Sequence, residues 1–321
     1  MGQMHAAVVT SFDEPPHVRA VEAPRPRAGE EVVDVLAVGL HPRVRSGAAG
    51  AHYTSNGRLP MIPGIDGVGR RADGRLVYFA TDDDVAGTLS EQAAVDPRRA
   101  VELPADADPV AVAAAMNPAM SSWVALRRQA ELQPGQSVLV LGATGNAGAM
   151  AVRVARLLGA GRVVGAGRDQ ARLSALRDLG ADDVVRITDD LDATADALAA
   201  AAADIDVVLD YLWGPPTRHA IPALLRARSD RSAPLRWVEI GAVAGDTIEL
   251  PAAALRSANL RLLGSGQGSV SGRRYLAELP ALVAEITAGR IAVRTRTVPL
   301  ADAEAAWSRP DEPGTRTVLV P

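Results

Sequence analysis

A short apolar run that ends in glycines, Val138-Leu139-Val140-Leu141-Gly142-Ala143-Thr144-Gly145-Asn146-Ala147-Gly148, constrains this chain more than any other stretch. Four consecutive apolar residues suit a parallel strand covered on both faces. Helical patterning follows over residues 147–158, so the glycines stand at a strand-to-helix turn. Such a turn brings backbone N–H groups against a pyrophosphate at a helix N-terminus. Gly145 lets the backbone approach the ligand, and Gly148 lets the helix pack close on the strand. The pattern is A-x-G-x-x-G with Gly142 in front of it. Gly142, Ala143, Thr144, Gly145, Asn146, Ala147 and Gly148 are therefore expected to line a bound dinucleotide.

The surrounding sequence supports that turn. Strand-like runs at 162–166, 183–185, 206–210, 237–240 and 259–263 alternate with helical segments at 170–179, 192–203 and 218–226. With residues 138–141 they make two successive sets of three strands with crossover helices, the pattern of a doubly wound parallel sheet. The first third has a different texture. Residues 6–9, 31–38 and 76–79 are β-like, separated by Pro15-Pro16, Pro24-Arg25-Pro26 and a stretch at 60–74 rich in glycine and proline. Residues 108–116 and 121–129 read as helices, and the tail as a helix to about 288 and a final strand at 316–320. At 321 residues the chain suits two domains. The expected fold is α/β, with residues 1–115 and 266–321 forming a β-rich domain and 116–265 the cofactor domain.

NAD and NADP are distinguished at the end of the second strand, where NAD sites place a carboxylate about 20 residues after the glycines. This chain has Gly165-Ala166-Gly167-Arg168-Asp169 there. A carboxylate would repel a 2′-phosphate, whereas Arg168 pairs with it through charge-assisted hydrogen bonds. Arg172 lies one helical turn on and joins the same phosphate. Asp169 comes one residue late for the NAD role and suits the N-cap of the next helix better. NADPH is the cofactor expected, with Gly167, Arg168 and Arg172 at its 2′-phosphate.

The absences matter as much. The chain has no cysteine, which excludes disulfides, thiol nucleophiles and cysteine-based zinc sites. All 34 basic residues are arginine, which removes Schiff-base chemistry and a Walker-type phosphate loop. The five histidines, His5, His17, His41, His52 and His219, include no pair at zinc-ligand spacing. A net charge of -4 and the lack of a basic-aromatic stripe argue against nucleic acid as partner. No apolar run approaches the roughly 18 residues of a membrane span, and the first ten residues show no leader. A cytoplasmic protein without a membrane partner is expected.

Taken in order along the chain, these motifs resemble the zinc-free quinone oxidoreductases of the medium-chain dehydrogenase/reductase superfamily. The resemblance rests on Met4-His5-Ala6-Ala7-Val8-Val9, Pro63-Gly64-Ile65-Asp66-Gly67-Val68-Gly69 and Ser121-Ser122-Trp123-Val124-Ala125-Leu126. The glycine turn, Gly180-Ala181-Asp182, Ile240-Gly241 and the closing residues 314–320 complete it. It implies a GroES-like β-rich catalytic domain built from both chain ends, a Rossmann cofactor domain between them and an active-site cleft at their junction. It also implies a homodimer, and hydride transfer from NADPH to a quinone or an α,β-unsaturated carbonyl. Zinc-dependent members of the superfamily use cysteine and histidine ligands that this chain cannot supply. Conjugate reduction manages without a Lewis acid, because hydrogen bonds or solvent satisfy the enolate oxygen.

The resemblance also directs attention to particular side chains. Tyr53, in a loop rich in glycine and alanine, is the first candidate to polarise the substrate oxygen or donate a proton, since phenols donate well near neutral pH. The competing role is packing the loop onto the core. His41 replaces the first zinc ligand of the metal-dependent relatives and is a second candidate, against a plain loop histidine; His52 ranks below Tyr53 as donor. Ser121 is placed at the cofactor, compatibly with a helix N-cap. Ile240, Gly241, Gly264 and Ser265 are placed in turns that flank the nicotinamide, and Arg309 aligns with a late cofactor-binding arginine. Asp210-Tyr211 reads as a plain strand end. Besides a quinone or enone reductase, the alternatives are an enoyl reductase of a biosynthetic pathway and a non-catalytic, crystallin-like NADPH-binding protein.

Overall fold

The computed structural model describes residues 2–81, 85–312 and 314–321; residues 1, 82–84 and 313 lie outside the described residues. The chain forms two compact units, Met1–Asn117 with Leu279–Pro321, and Pro118–Glu278.

The first unit opens with an antiparallel pair, β1 (Gln3–Val8) and β2 (His17–Glu22). Strands β3 (Glu31–Gly39), β4 (Asp66–Arg70), β5 (Leu76–Ala80) and β7 (Ala100–Glu102) lie side by side and antiparallel, while β6 (Gln92–Val95) pairs with β3. Strand β4 occupies part of the stretch whose glycines suggested irregular structure. Those glycines serve close approach of the strands. A β-carbon on Gly67 would stand 3.1 Å from the Ala37 carbonyl oxygen, and one on Gly69 would stand 2.9 Å from that of Asp34. Val33, Val35, Leu40, Phe79 and Leu89 fill the core beneath.

The second unit is a six-stranded, all-parallel sheet of β8 (Ser137–Leu141), β9 (Arg162–Gly167), β10 (Asp183–Arg186), β11 (Val207–Asp210), β12 (Leu235–Glu239) and β13 (Leu260–Gly264). Its strand order, β10-β9-β8-β11-β12-β13, is that of the doubly wound dinucleotide-binding fold, with the reversal between β8 and β11. The apolar runs behave as parallel strands should: Val138, Leu139, Val140 and Leu141 are all buried. The core on one side of the sheet includes Leu139, Leu141, Val164, Val208, Leu224 and Trp237.

The tail then completes the first unit. Strand β14 (Arg294–Pro299) runs parallel to β15 (Thr315–Val320), and β15 pairs antiparallel with β3, giving a mixed sheet ordered β14-β15-β3-β4-β5-β7. Several elements differ from the sequence expectation. The helical segments at 108–116 and 121–129 are one helix, Pro109–Val124, running into a π-helical turn at Ala125–Gln129. Ser121 is consequently inside a helix and caps nothing. The stretch 109–129 is long and apolar enough to cross a membrane by length and composition, contrary to the expectation that no such run exists. Its most apolar window is 72% buried within the protein, as in a core helix. The tail helix is two helices, Gly272–Leu276 and Leu279–Thr287.

A buried carboxylate secures the end of β11. Asp210 Oδ1 accepts from the backbone N–H groups of Leu212 (2.8 Å) and Trp213 (3.0 Å), and Oδ2 from Thr217 Oγ1 (2.5 Å) and Trp237 Nε1 (2.9 Å). It thereby ties two strands and the start of the helix Gly214–Ala227 to one group. Asp210→Ala is expected to lower the free energy of unfolding by about 3 kcal/mol, since it strands buried donors. Urea denaturation measures this, and a loss under about 1 kcal/mol would contradict the anchoring role.

Candidate functional site

The glycine turn is fixed from several sides. Gly142 adopts φ +84°, a conformation that favours glycine. Its N–H and that of Ala143 both donate to the Ala166 carbonyl, at 2.9 and 2.8 Å, tying the turn to the end of β9. A β-carbon on Gly148 would collide with the Gly142 carbonyl oxygen and stand 2.8 Å from Ala143 Cα. Gly145 differs. It is exposed, with only the Gly142 oxygen, at 3.4 Å, near the place of its missing β-carbon. Gly145 is also the N-cap of the helix Asn146–Leu157, which no side chain caps. Asn146 and Ala147 are its first residues, so its amide dipoles face the open side of Gly145, where an anion is favoured.

The end of β9 adjoins this turn. A β-carbon on Gly167 would stand 2.5 Å from the Thr144 side chain, so the glycine gives Thr144 its place. Arg168 follows, exposed. Asp169 caps the helix Gln170–Ala175, its Oδ1 accepting from Arg172 N–H at 3.0 Å, as its position in the sequence suggested. The Arg172 guanidinium donates to Asn146 Oδ1 at 3.3 Å, which brings it to the helix start. Two cations and the turn thus lie together, and the acid nearest them is engaged as a cap.

On the other side of the strand reversal, the N–H groups of Ile240 and Gly241 donate to the Asp210 carbonyl, at 2.8 and 3.2 Å. Gly264 ends β13 with open space where a β-carbon would be, and Ser265 N–H donates to the Glu239 carbonyl at 2.8 Å. Burial, then the charge of Asp210, raises the Glu239 carboxyl above its ordinary pKa. Ser121 reaches this region through Tyr211, which the sequence marked only as a plain strand end. The Tyr211 hydroxyl lies 3.0 Å from Ser121 Oγ, and Ser121 Oγ donates to the Pro118 carbonyl at 3.1 Å. Burial pushes the Tyr211 phenol up to about 12. A tyrosine one residue past the strand at the sheet's reversal was the available signal.

His41 and Tyr53 belong to the other unit. His41 precedes the helix Pro42–Ala48 and is not a plain loop histidine. Its ring is 1% exposed, with Nε2 3.1 Å from Asp66 Oδ1, while the other Asp66 oxygen accepts from Tyr78 OH at 2.8 Å. Tyr53 is 71% exposed, so packing into the core is not its role; its ring lies 4.3 Å from that of His52. Burial, and secondarily the Arg43 charge, pulls His52 down to about 4. His52 Nδ1 accepts from Thr54 N–H at 3.2 Å, so at neutral pH the ring is uncharged and carries its one N–H on Nε2. Arg309 is exposed, 3.8 Å from Glu312. Among the described residues no three His, Asp or Glu side chains gather as metal ligands; His41 and Asp66 are only a pair.

Comparison with known proteins gives the site a setting. Residues 147–286 match the family described as zinc-binding dehydrogenase. The chain is 32% identical to a probable NADPH-dependent quinone reductase of Emericella nidulans, across 99% of this chain and all of that protein. It is 29% identical to a quinone oxidoreductase of Lama guanicoe, over 65% of this chain and 66% of that one. Among solved structures, the quinone oxidoreductase from Thermus thermophilus, determined also in complex with NADPH, superposes with a TM-score of 0.81. It is 28% identical and covers 99% of this chain and 100% of its own.

The glycine geometry separates fold from ligand. Gly145→Ala is expected to leave the unfolding temperature unchanged, because the added methyl has room, yet to weaken dinucleotide binding about tenfold or more by standing in the phosphate's path. Gly148→Ala is expected to lose both, because its methyl strikes the turn. Calorimetric titration beside thermal melting checks this, and wild-type affinity in Gly145→Ala would contradict the phosphate assignment.

Proposed function

The chain belongs to the quinone oxidoreductase family of the medium-chain dehydrogenase/reductase superfamily, and from that premise we propose that it is an NADPH-dependent reductase of quinones or α,β-unsaturated carbonyls. The observation that carries this is the pairing of an uncapped helix start beside an open Gly145 with guanidinium groups, instead of a free carboxylate, after β9. The backbone from Gly142 to Gly148 would hold the pyrophosphate. Arg168 and Arg172 would take the 2′-phosphate, with Gly167 leaving room for the turn beside them. Ile240, Gly241, Gly264 and Ser265 would flank the nicotinamide through their backbone, and Ser121 would support the same half. When bound, the cofactor supplies a hydride.

On the substrate side, the exposed phenol of Tyr53 is the hydrogen-bond donor we assign to the acceptor oxygen. His41 is enclosed and held by Asp66, so its role is to position the start of the helix Pro42–Ala48 rather than to touch substrate. The residues present do not fit a zinc centre, since the chain has no cysteine and, among the described residues, His41 and Asp66 form only a pair. No step is therefore routed through a metal, and the developing enolate is left to hydrogen bonds and solvent. The β-rich unit is assigned the catalytic role and the parallel-sheet unit the cofactor, in a cytoplasmic homodimer.

Arg168→Ala tests the cofactor choice. The KM for NADPH is expected to rise about tenfold or more while that for NADH changes less than about twofold, in assays with a quinone panel and an enone panel. Equal losses for both cofactors would remove the 2′-phosphate from Arg168. Wild-type protein that binds NADPH but turns over neither panel would favour a non-catalytic binding protein.

A further inference from the structure

The β-rich unit contains a cleft of about 400 Å³, open to solvent, that none of the residues assigned to the cofactor lines. Its walls come from the helix Pro42–Ala48, the loop at 55–61 and the turn at Gly64 and Ile65, with Phe12 beside them. Each wall is held from behind. Asp66 binds His41 at the start of the helix, with 3.1 Å between Oδ1 and Nε2. Met61 exchanges backbone hydrogen bonds with Val9, at 2.8 and 3.0 Å. Gly64 has φ +109°, and a β-carbon there would collide with Thr88 Oγ1, so the turn packs straight onto Thr88. A cleft with walls fixed in this way is preformed for a small molecule.

The lining is apolar and cationic. Phe12, Val44, Met61 and Ile65 supply the apolar surface, and the ionisable groups among the described lining residues are Arg43 and Arg58. Arg43 is oriented by its neighbours. Its Nη2 donates to Thr54 Oγ1 at 2.7 Å, and its guanidinium lies across Gly47, where a β-carbon would stand 2.6 Å from Nη1. The Arg43 charge is felt in the same loop, where it adds to burial in lowering His52 to about 4. His52 therefore brings no positive charge near neutral pH, and the arginines alone set the sign. Arg58 stands exposed on the loop wall, its backbone N–H turned to Asn56 Oδ1 at 2.9 Å. Guanidinium groups beside an apolar floor suit a ligand that joins a ring or short chain to a carboxylate. A neutral molecule would use the floor and leave both cations to water.

Thr54, which holds Arg43, follows Tyr53, the donor assigned to the acceptor oxygen, so one loop serves both ends of a substrate. We propose that this cleft is a specificity pocket in which Arg43 and Arg58 select a conjugated carbonyl compound that bears a carboxylate. This rests on the reductase reading and narrows its substrate class to anionic acceptors. In an enone of that class, the hydride of NADPH and one solvent proton add across the C=C bond, and NADP+ leaves. The carboxylate stays ionised and unchanged throughout, held in the cleft.

The test uses trans-3-benzoylacrylate and its methyl ester, an enone with and without the charge, in wild type, Arg58→Gln and Arg43→Gln. Wild-type kcat/KM with NADPH is expected to favour the acid about tenfold or more, through KM. Each variant is expected to cut that preference about fivefold or more. Equal kcat/KM for acid and ester in wild type overturns the assignment. Equal losses on both substrates in both variants also overturn it, because they mark a purely structural role. Calorimetric titration of the saturated products, 3-benzoylpropionate and its methyl ester, separates the pocket from the reaction. If neither enone is reduced, the reductase reading falls and these titrations decide the pocket alone. A wild-type preference for the saturated acid that both variants lose sustains the pocket, and equal binding of acid and ester overturns it.

Discussion

A β-carbon on Gly148 would strike the Gly142 carbonyl oxygen, so the helix Asn146–Leu157 docks against the turn only because that position lacks one. That close approach aims the helix start at the open side of Gly145 and holds the first strand of the sheet beneath it. The Ala166 carbonyl receives two N–H groups from the same turn, which locks β9 to it and places Arg168 directly beyond. The turn proposed to hold the phosphate and the arginines proposed to choose the cofactor thus have one origin. They follow from how tightly a strand, a turn and a helix can be packed.

Asp210 plays the corresponding part on the other side of the strand reversal. Its side chain holds Trp237, Thr217 and the backbone at 212 and 213, while its carbonyl receives Ile240 and Gly241. Side chain and main chain of one residue therefore set both the exit of β11 and the turn after β12. Tyr211, next in sequence, inherits a fixed position from that anchorage. Burying an unpaired carboxylate would be costly, and the four donors offset that cost.

How much of this was legible in the sequence depended on the range of the forces involved. The parallel strands announce themselves as apolar runs because both faces are buried, and Val138 to Leu141 is the clearest case. The cap at Asp169 was readable because capping is local. Strand β4 was not, because Gly67 and Gly69 are there for contacts with β3 and β5 that no local pattern encodes. Ser121 looked like a helix cap because 108–116 and 121–129 read as separate helices, yet one helix, Pro109–Val124, runs through Asn117 and Pro118. The pairing of His41 with Asp66, and that of Tyr211 with Ser121, link residues far apart in the chain. Side chains of that kind become visible only once the fold has brought them together.

Determining the crystal structure with NADPH soaked in addresses the central claim most directly. The diphosphate is expected against the N–H groups of the turn from Gly142 to Gly148, with the adenosine 2′-phosphate within hydrogen-bond distance of Arg168 or Arg172. A cofactor bound elsewhere, or a 2′-phosphate left in solvent away from both guanidinium groups, would contradict it.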